Sequence, residues 1–347
     1  MKAKYYDGTK LLNKTDLDGD KPEIYICTGN RTAGKSYFFK RFLVTQFIKD
    51  NEQKFIVIYR KRDEMHDAIN AFFEDIKYDK EITRLKKFDY HSKTEMSGSY
   101  QTWYLNDVEM GFAIYLNAAE KIKRNSSRFV NVKWMLFDEM QSETYSYVDD
   151  EVEKFISIHM SVARGHGEQS RYVPCILIGN STSLVNPYFR AMGISDRYNK
   201  EAKFIRGSGW VAEFAHNESA EDAIKKSAFN RAFAKSKYMA YASENNFLLD
   251  NNNFVEKCSL QGAMFIFHFL HEKQHIGAWY LPDGVWYFCS KFDPSDKPIA
   301  LTKDDHDKET LYRMINIDKL RAAFDRGNVR FETLEISNVI IDALLKI

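Results

Sequence analysis

Residues 23–36, EIYICTGNRTAGKS, constrain the fold of this chain more than any other stretch. The first six residues read as a buried strand. They run into GxxxxGKS, and the following SYFFKRFLVTQFIKD places apolar residues at helical spacing. A strand entering a glycine-rich loop that opens a helix is a phosphate cradle, because loop amides and the helix N-terminus both face an anion. Gly29, Asn30, Arg31, Thr32, Ala33, Gly34, Lys35 and Ser36 are therefore the expected nucleotide-binding residues. Lys35 would reach the β- and γ-phosphates, and the Ser36 hydroxyl would ligate Mg²⁺.

Further strands are expected at 54–60 (KFIVIYR), 132–139 (VKWMLFDE) and 174–180 (PCILIGN), with a hairpin over 103–116 and helices near 71–76 and 148–163. Apolar strands alternating with helices predict a parallel sheet covered on both faces. Asp138 and Glu139 close the third strand as a Walker B pair: Asp138 would hold the Mg²⁺ shell, and Glu139 would orient and deprotonate the attacking water. Asn180, at the end of the fourth strand, is placed to sense the γ-phosphate, although an asparagine satisfying its own turn is the plainer alternative. Arg31, inside the loop, can stabilise charge in cis. Arg164, flanked by Gly165 and Gly167, suits a finger reaching a neighbouring subunit, with Arg171 as its rival. Two basic runs, Arg60 to Arg62 and Lys121 to Arg124, follow strands and can grip DNA phosphates or form solvated faces.

The expected organisation is an ATPase domain over 1–200, a linker or helical segment over 201–243, and a smaller domain over 244–347 with three strands at hairpin spacing. With 347 residues, two domains are affordable. Lys and Arg number 50 against 49 Asp and Glu, a net charge of +1. This excludes a polycation but leaves room for local basic patches. Four cysteines without CxxC suggest buried thiols in a reducing compartment. No apolar run approaches the ~18 residues of a membrane span, and the N-terminus lacks a signal-like apolar region, so no membrane partner is expected. HEKQH at 271–275 matches a zinc-protease signature but falls between two strands rather than on a helix. NKTD at 13–16 resembles a guanine-selecting motif but precedes the phosphate loop. Two other readings remain at this point, a cellular helicase- or recombinase-like ATPase and a small-molecule kinase. Glu139 argues against the second.

Together GNRTAGKS, FIVIYRKRDEM, MLFDEM and above all CILIGNSTSLVNPYF (175–189) resemble the genome-packaging ATPases of small tailed phages of the phi-29 type, over roughly residues 20–200. The resemblance implies a P-loop additional-strand, RecA-like α/β ATPase domain followed by an RNase H-like, nuclease-degenerate α+β domain. It also implies ATP and Mg²⁺ as ligands and a homomeric ring, usually pentameric, on the phage portal. That ring pumps double-stranded DNA in the host cytoplasm, at times with a structural packaging RNA. It assigns the trans finger to Arg164. A pore contact falls near Arg62, with a one-residue uncertainty in the alignment, and a second on Lys123 and Arg124. The strand stretches GAMFIFHFL, IGAWYL and VWYFCS carry no Asp or Glu, against a two-metal nuclease, and Asp293 lies just beyond the third.

Overall fold

The apolar runs pair as strands because each can bury both faces only inside a sheet. A computed structural model describes residues 5–85, 87–143, 146–165, 167, 169–184, 186–198, 202–233, 254–312 and 317–345. The chain divides into two compact units, 1–249 and 250–347.

In the first unit the strands are β1 (Ile24–Gly29), β2 (Lys54–Tyr59), β3 (Tyr90–Glu95), β4 (Tyr100–Leu105), β5 (Val108–Tyr115), β6 (Val132–Phe137), β7 (Cys175–Asn180), β8 (Phe204–Gly207) and β9 (Trp210–Ala215). They form one sheet in the order β3-β4-β5-β2-β6-β7-β1-β9-β8, parallel from β5 to β9 with antiparallel pairs at each edge. β7 lies between the phosphate-loop strand β1 and the Walker B strand β6, which makes it the additional strand of the expected fold. The expected hairpin is β4–β5, turned by Asn106 and Asp107, both at positive φ, as a tight two-residue turn requires.

The helices are α1 (Thr9–Leu12), α2 (Lys35–Lys49), α3 (Ala68–Glu74), α4 (Lys80–Thr83), α5 (Ala119–Arg124), α6 (Glu151–Val162), α7 (Pro187–Ala191), α8 (Ile194–Arg197), α9 (Glu218–Lys226) and α10 (Ala228–Ala232). On one face of the sheet α2 and α3 bury Phe39, Leu43, Phe47, Phe72 and Phe73 against Tyr25, Phe55 and Val57. Each such side chain contributes ~1.5–3 kcal/mol. On the other face Phe155 of α6 and Tyr188 of α7 pack on Phe137.

The sheet runs beyond residue 200. Residues 204–215, expected to begin a linker, supply β8 and β9, and β9 pairs in parallel with β1. The turn-like RGSGW was legible, but the strands on either side are short and look like loop. The polar helix expected from 217 breaks at Ser227, whose backbone is extended (ψ 131°). Positions 234–243 of that expectation lie outside the described residues.

In the second unit β10 (Met264–His271), β11 (Gln274–Tyr280) and β12 (Trp286–Cys289) form an antiparallel meander. β13 (Ile299–Ala300), β14 (Leu311–Tyr312) and β15 (Val329–Phe331) complete a sheet of order β14-β13-β10-β11-β12-β15. β13 runs parallel to β10, and β14 parallel to β13. The meander is thus extended by β13 and β14 on the β10 side and by β15, parallel to β12, on the other. Helices Ile317–Asp325 and Leu334–Leu345 add Leu320, Ile336, Val339 and Ile340 to Phe269, Ile276 and Phe288 in its core.

Candidate functional site

The carboxyl ends of β1, β7, β6 and β2 lie side by side, and the chemistry-bearing residues follow them. Gly29 ends β1 against Ala215 of β9, where a Cβ would come within 1.9 Å of the Ala215 carbonyl oxygen, so only glycine fits. Gly34 enters α2 at φ +91°, in the left-handed region that glycine adopts without strain. The loop encloses a cavity of about 290 Å³, lined among others by Thr32, Gly34, Ser36, Asp138, Glu139 and Asn180.

Lys35 is buried and donates to the carbonyl oxygens of Gly29 (3.1 Å) and Asn30 (2.7 Å) and to Asn180 Oδ1 (3.3 Å). Burial lowers its pKa to about 8. Ser36 Oγ donates to Asp138 Oδ1 at 3.1 Å, and Lys40 stands 3.7 Å from the other carboxylate oxygen. A hydroxyl and a carboxylate meeting beside an amide cradle are hard oxygen donors of the kind Mg²⁺ takes when it keeps most of its waters. The residues therefore fit a magnesium–nucleotide complex, with Ser36 and Asp138 on the ion.

Glu139 follows at φ +59°, an uncommon backbone for a residue with a side chain. Burial raises its carboxyl pKa, and the charges of Asp138, Glu143 and Glu64 add to this. What holds that backbone is Arg60. Sequence reasoning placed Arg60 among the DNA contacts; the structure corrects this, because the side chain is buried. Its Nε donates to both Glu151 oxygens (3.2 and 3.0 Å), Nη1 to the Glu139 carbonyl (3.1 Å) and Nη2 to the Met140 carbonyl (2.7 Å). Tyr188 donates to Glu151 Oε1 at 3.1 Å. Desolvation disfavours the Arg60 charge, but the Glu151 hydrogen bonds and charge outweigh it and the pKa rises. The NPYF stretch thus has a structural reason: Asn186 Oδ1 caps α7 by accepting from the Phe189 amide, Pro187 takes the first helical position, and Tyr188 reaches the buried ion pair.

Two contributors escaped the sequence reading. Gln141 is buried, donates to Thr28 Oγ1 (3.4 Å) and accepts from the Thr182 and Ser183 amides (2.9 and 3.3 Å), tying the Walker B loop to β1 and to the turn after β7. Asn217 donates its amide N–H to Asn30 Oδ1 (3.1 Å) and accepts at its carbonyl from Asn30 Nδ2 (3.2 Å), while its own side chain caps α9 through the Ala220 amide. The Asn30 side chain therefore faces β9 and not the phosphate side. A motif scan treats its position as a free x, which is why the partner was not visible.

The remaining expected residues are placed as follows. Arg31 makes an ion pair with Glu143 at 2.9 Å. Arg164, just beyond α6, is exposed. Arg171 is buried and donates to the carbonyls of Val162 (2.7 Å), Val132 (3.3 Å) and Arg164 (3.4 Å). Arg62 is exposed and donates to the Ser97 carbonyl at 3.2 Å. Lys123 and Arg124 are exposed on α5, beyond the end of β5, which neighbours β2 in the sheet. His271 to His275 form the β10–β11 turn, with Glu272 and Lys273 at positive φ, so the histidines do not share a helix face. Asp293 is occupied by the Ser295 amide and hydroxyl. Among the described residues no group of three or more His, Cys, Asp or Glu is arranged to hold a metal, and no helix is long and apolar enough to cross a membrane.

A family model described as the podovirus DNA encapsidation protein (Gp16) matches residues 1–347. The chain belongs to this family. DNA packaging proteins of Bacillus phage PZA and Bacillus phage phi29 are each 27% identical to it over 354 residues, covering 99% of this chain and 98% of theirs. That of Bacillus phage B103 is 28% identical over 313 residues, covering 88% and 91%. Among solved structures, a chain of the bacteriophage Phi-29 viral genome packaging motor assembly superposes with a TM-score of 0.69 at 22% identity, covering 99% of both chains. The Phi-28 gp11 DNA packaging motor gives 0.55 at 16% identity, covering 99% of this chain and 98% of the other. Both likenesses show the same fold. Membership excludes the cellular helicase and kinase readings and makes genome packaging the function.

Proposed function

We propose that this chain is the ATP-hydrolysing subunit of a homomeric, pentameric ring that drives double-stranded DNA through a phage portal into a prohead, in the host cytoplasm. The observation that carries the reading is the Ser36–Asp138 contact at 3.1 Å with Glu139 beside it. It joins the two Walker motifs at one cavity next to a residue able to take a proton from water.

Bound magnesium would neutralise and orient the phosphate oxygens. The loop amides and Lys35 hold the phosphates, Ser36 and Asp138 hold the ion, and Glu139 orients water and accepts its proton at the carboxylate. Arg60 positions Glu139 through the backbone. Arg31 lies close enough for its charge to counter the rise in the Glu139 pKa. Arg164 is the better candidate for the finger supplied to a neighbouring subunit, since Arg171 is committed to backbone carbonyls within its own chain. Arg62, Lys123 and Arg124 are the DNA contacts, and a structural RNA is a further partner on the platform. The second unit is taken as nuclease-inactive. Mg²⁺- or Mn²⁺-dependent cleavage of plasmid DNA, lost in Asp293→Ala, would overturn that.

The test is steady-state ATPase against added duplex DNA for wild type, Glu139→Gln, Arg164→Ala and a mixture of the two variants. DNA stimulation, two inactive variants and recovered activity in the mixture are expected. A wild-type rate in Arg164→Ala would remove the finger assignment, and a mixture as inactive as its parts would argue against a site completed between subunits.

A further inference from the structure

The second unit contains a cavity of about 520 Å³ between the end of its meander and a helix. One wall is aromatic: Tyr280 ends β11 and Trp286 opens β12 directly opposite it, their rings edge to face at 5.6 Å. The facing wall is the stripe Lys319, Ala322 and Ala323 of the helix Ile317–Asp325 with Arg326 just past its end, whose amide still donates to the Ala322 carbonyl, at spacing i, i+3, i+4, i+7. The two alanines leave open the space between the two cations, which stand ~10 Å apart along the axis at 1.5 Å per residue. Lys319 and Arg326 are exposed, and among the described residues neither forms an ion pair. Asn328, also exposed, brings to the rim a side-chain amide.

Each part has a chemical counterpart in one class of ligand. Aromatic rings stack on nucleobases whatever their sequence, cations pair with the phosphates on either side, and an amide offers both a donor and an acceptor to a base edge. An acidic peptide would use the cations and leave the aromatic wall idle. An apolar ligand would do the reverse. Duplex DNA keeps its bases stacked and presents no ring face to Tyr280 or Trp286. We infer that this cavity binds an unpaired nucleotide of a nucleic-acid strand, with the base against Tyr280 and Trp286 and its flanking phosphates on Lys319 and Arg326. The site lies wholly within the second unit and does not rest on the hydrolytic reading of the first.

The test uses the full-length chain without ATP and ten-nucleotide strands, ribo and deoxy, each with one central 5-iodouracil. Irradiation followed by peptide mapping is expected to place the crosslink on Tyr280 or Trp286, and the arm that crosslinks more strongly identifies the kind of strand. Tyr280→Leu, at a residue 38% exposed, should weaken binding on the order of ten-fold and remove its crosslink. The Lys319→Ala/Arg326→Ala double variant should flatten the log–log salt dependence by about 1.4, roughly 0.7 per phosphate on a single strand. Both variants should keep the wild-type ATPase rate, which reports that the chain is folded. A crosslink mapping elsewhere, unchanged affinity in the double variant, or equal competition by blunt duplex would overturn the inference. So would equal competition by AMP, which would make the cavity a mononucleotide site.

Discussion

Glu139 and Lys35 carry opposite pH liabilities. Burial raises the Glu139 pKa, so its base form is lost as pH falls through a value above the ordinary carboxylate of ~4.3. Burial lowers Lys35 to about 8, so its charge in the free enzyme is lost as pH rises through that value. A bell-shaped kcat/KM profile is expected, with its alkaline limb near pH 8. Glu139→Gln should lower kcat by ~10²–10⁴ while leaving nucleotide affinity close to wild type, and should remove the acid limb. Arg60 is the residue the sequence misplaced. Arginine in YRKR reads as surface, because a one-dimensional pattern cannot show that Glu151, 91 positions on, is buried beside it. Arg60→Ala leaves that carboxylate unpaired and should cost ~3–5 kcal/mol in chemical denaturation. Turnover should fall as well, since the Glu139 backbone loses its hold.

Among the elements, strands flanked by strong chemistry were legible and strands defined only by pairing were not. β1, β2, β6 and β7 are apolar runs that end in phosphate-binding, basic or acidic residues, and each formed near its expected place. β8 and β9 are short and separated by a glycine turn; what makes them strands is the edge of β1, which no local pattern records. β9 in turn positions Asn217, which caps α9 and holds the phosphate loop at once. Asn217→Ala should therefore cost ~1–2 kcal/mol in thermal unfolding, the usual effect of losing a cap. A merely structural cap would leave KM for ATP unchanged, whereas loss of the bond from Asn217 Nδ2 to the Ala33 carbonyl of the phosphate loop (3.4 Å) should raise it.

For the whole molecule, near-neutral charge and DNA translocation are compatible because few cations need face the strand. With the buried Arg60 removed from that group, the exposed Arg62, Lys123 and Arg124 remain as the proposed contacts. Replacing all three by alanine should flatten the log–log salt dependence of duplex binding by about 2.7, roughly 0.9 per phosphate, without altering sequence preference. The amide exchange between Asn30 and Asn217 also has a mechanical consequence. Two hydrogen bonds join the phosphate loop to the N-cap of α9, the helix through which the chain leaves the first unit's sheet. A reshaping of the loop that keeps both bonds carries the start of α9 with it. On the proposed hydrolytic reading, that pair would hand the arrival and loss of phosphate on to the chain that follows.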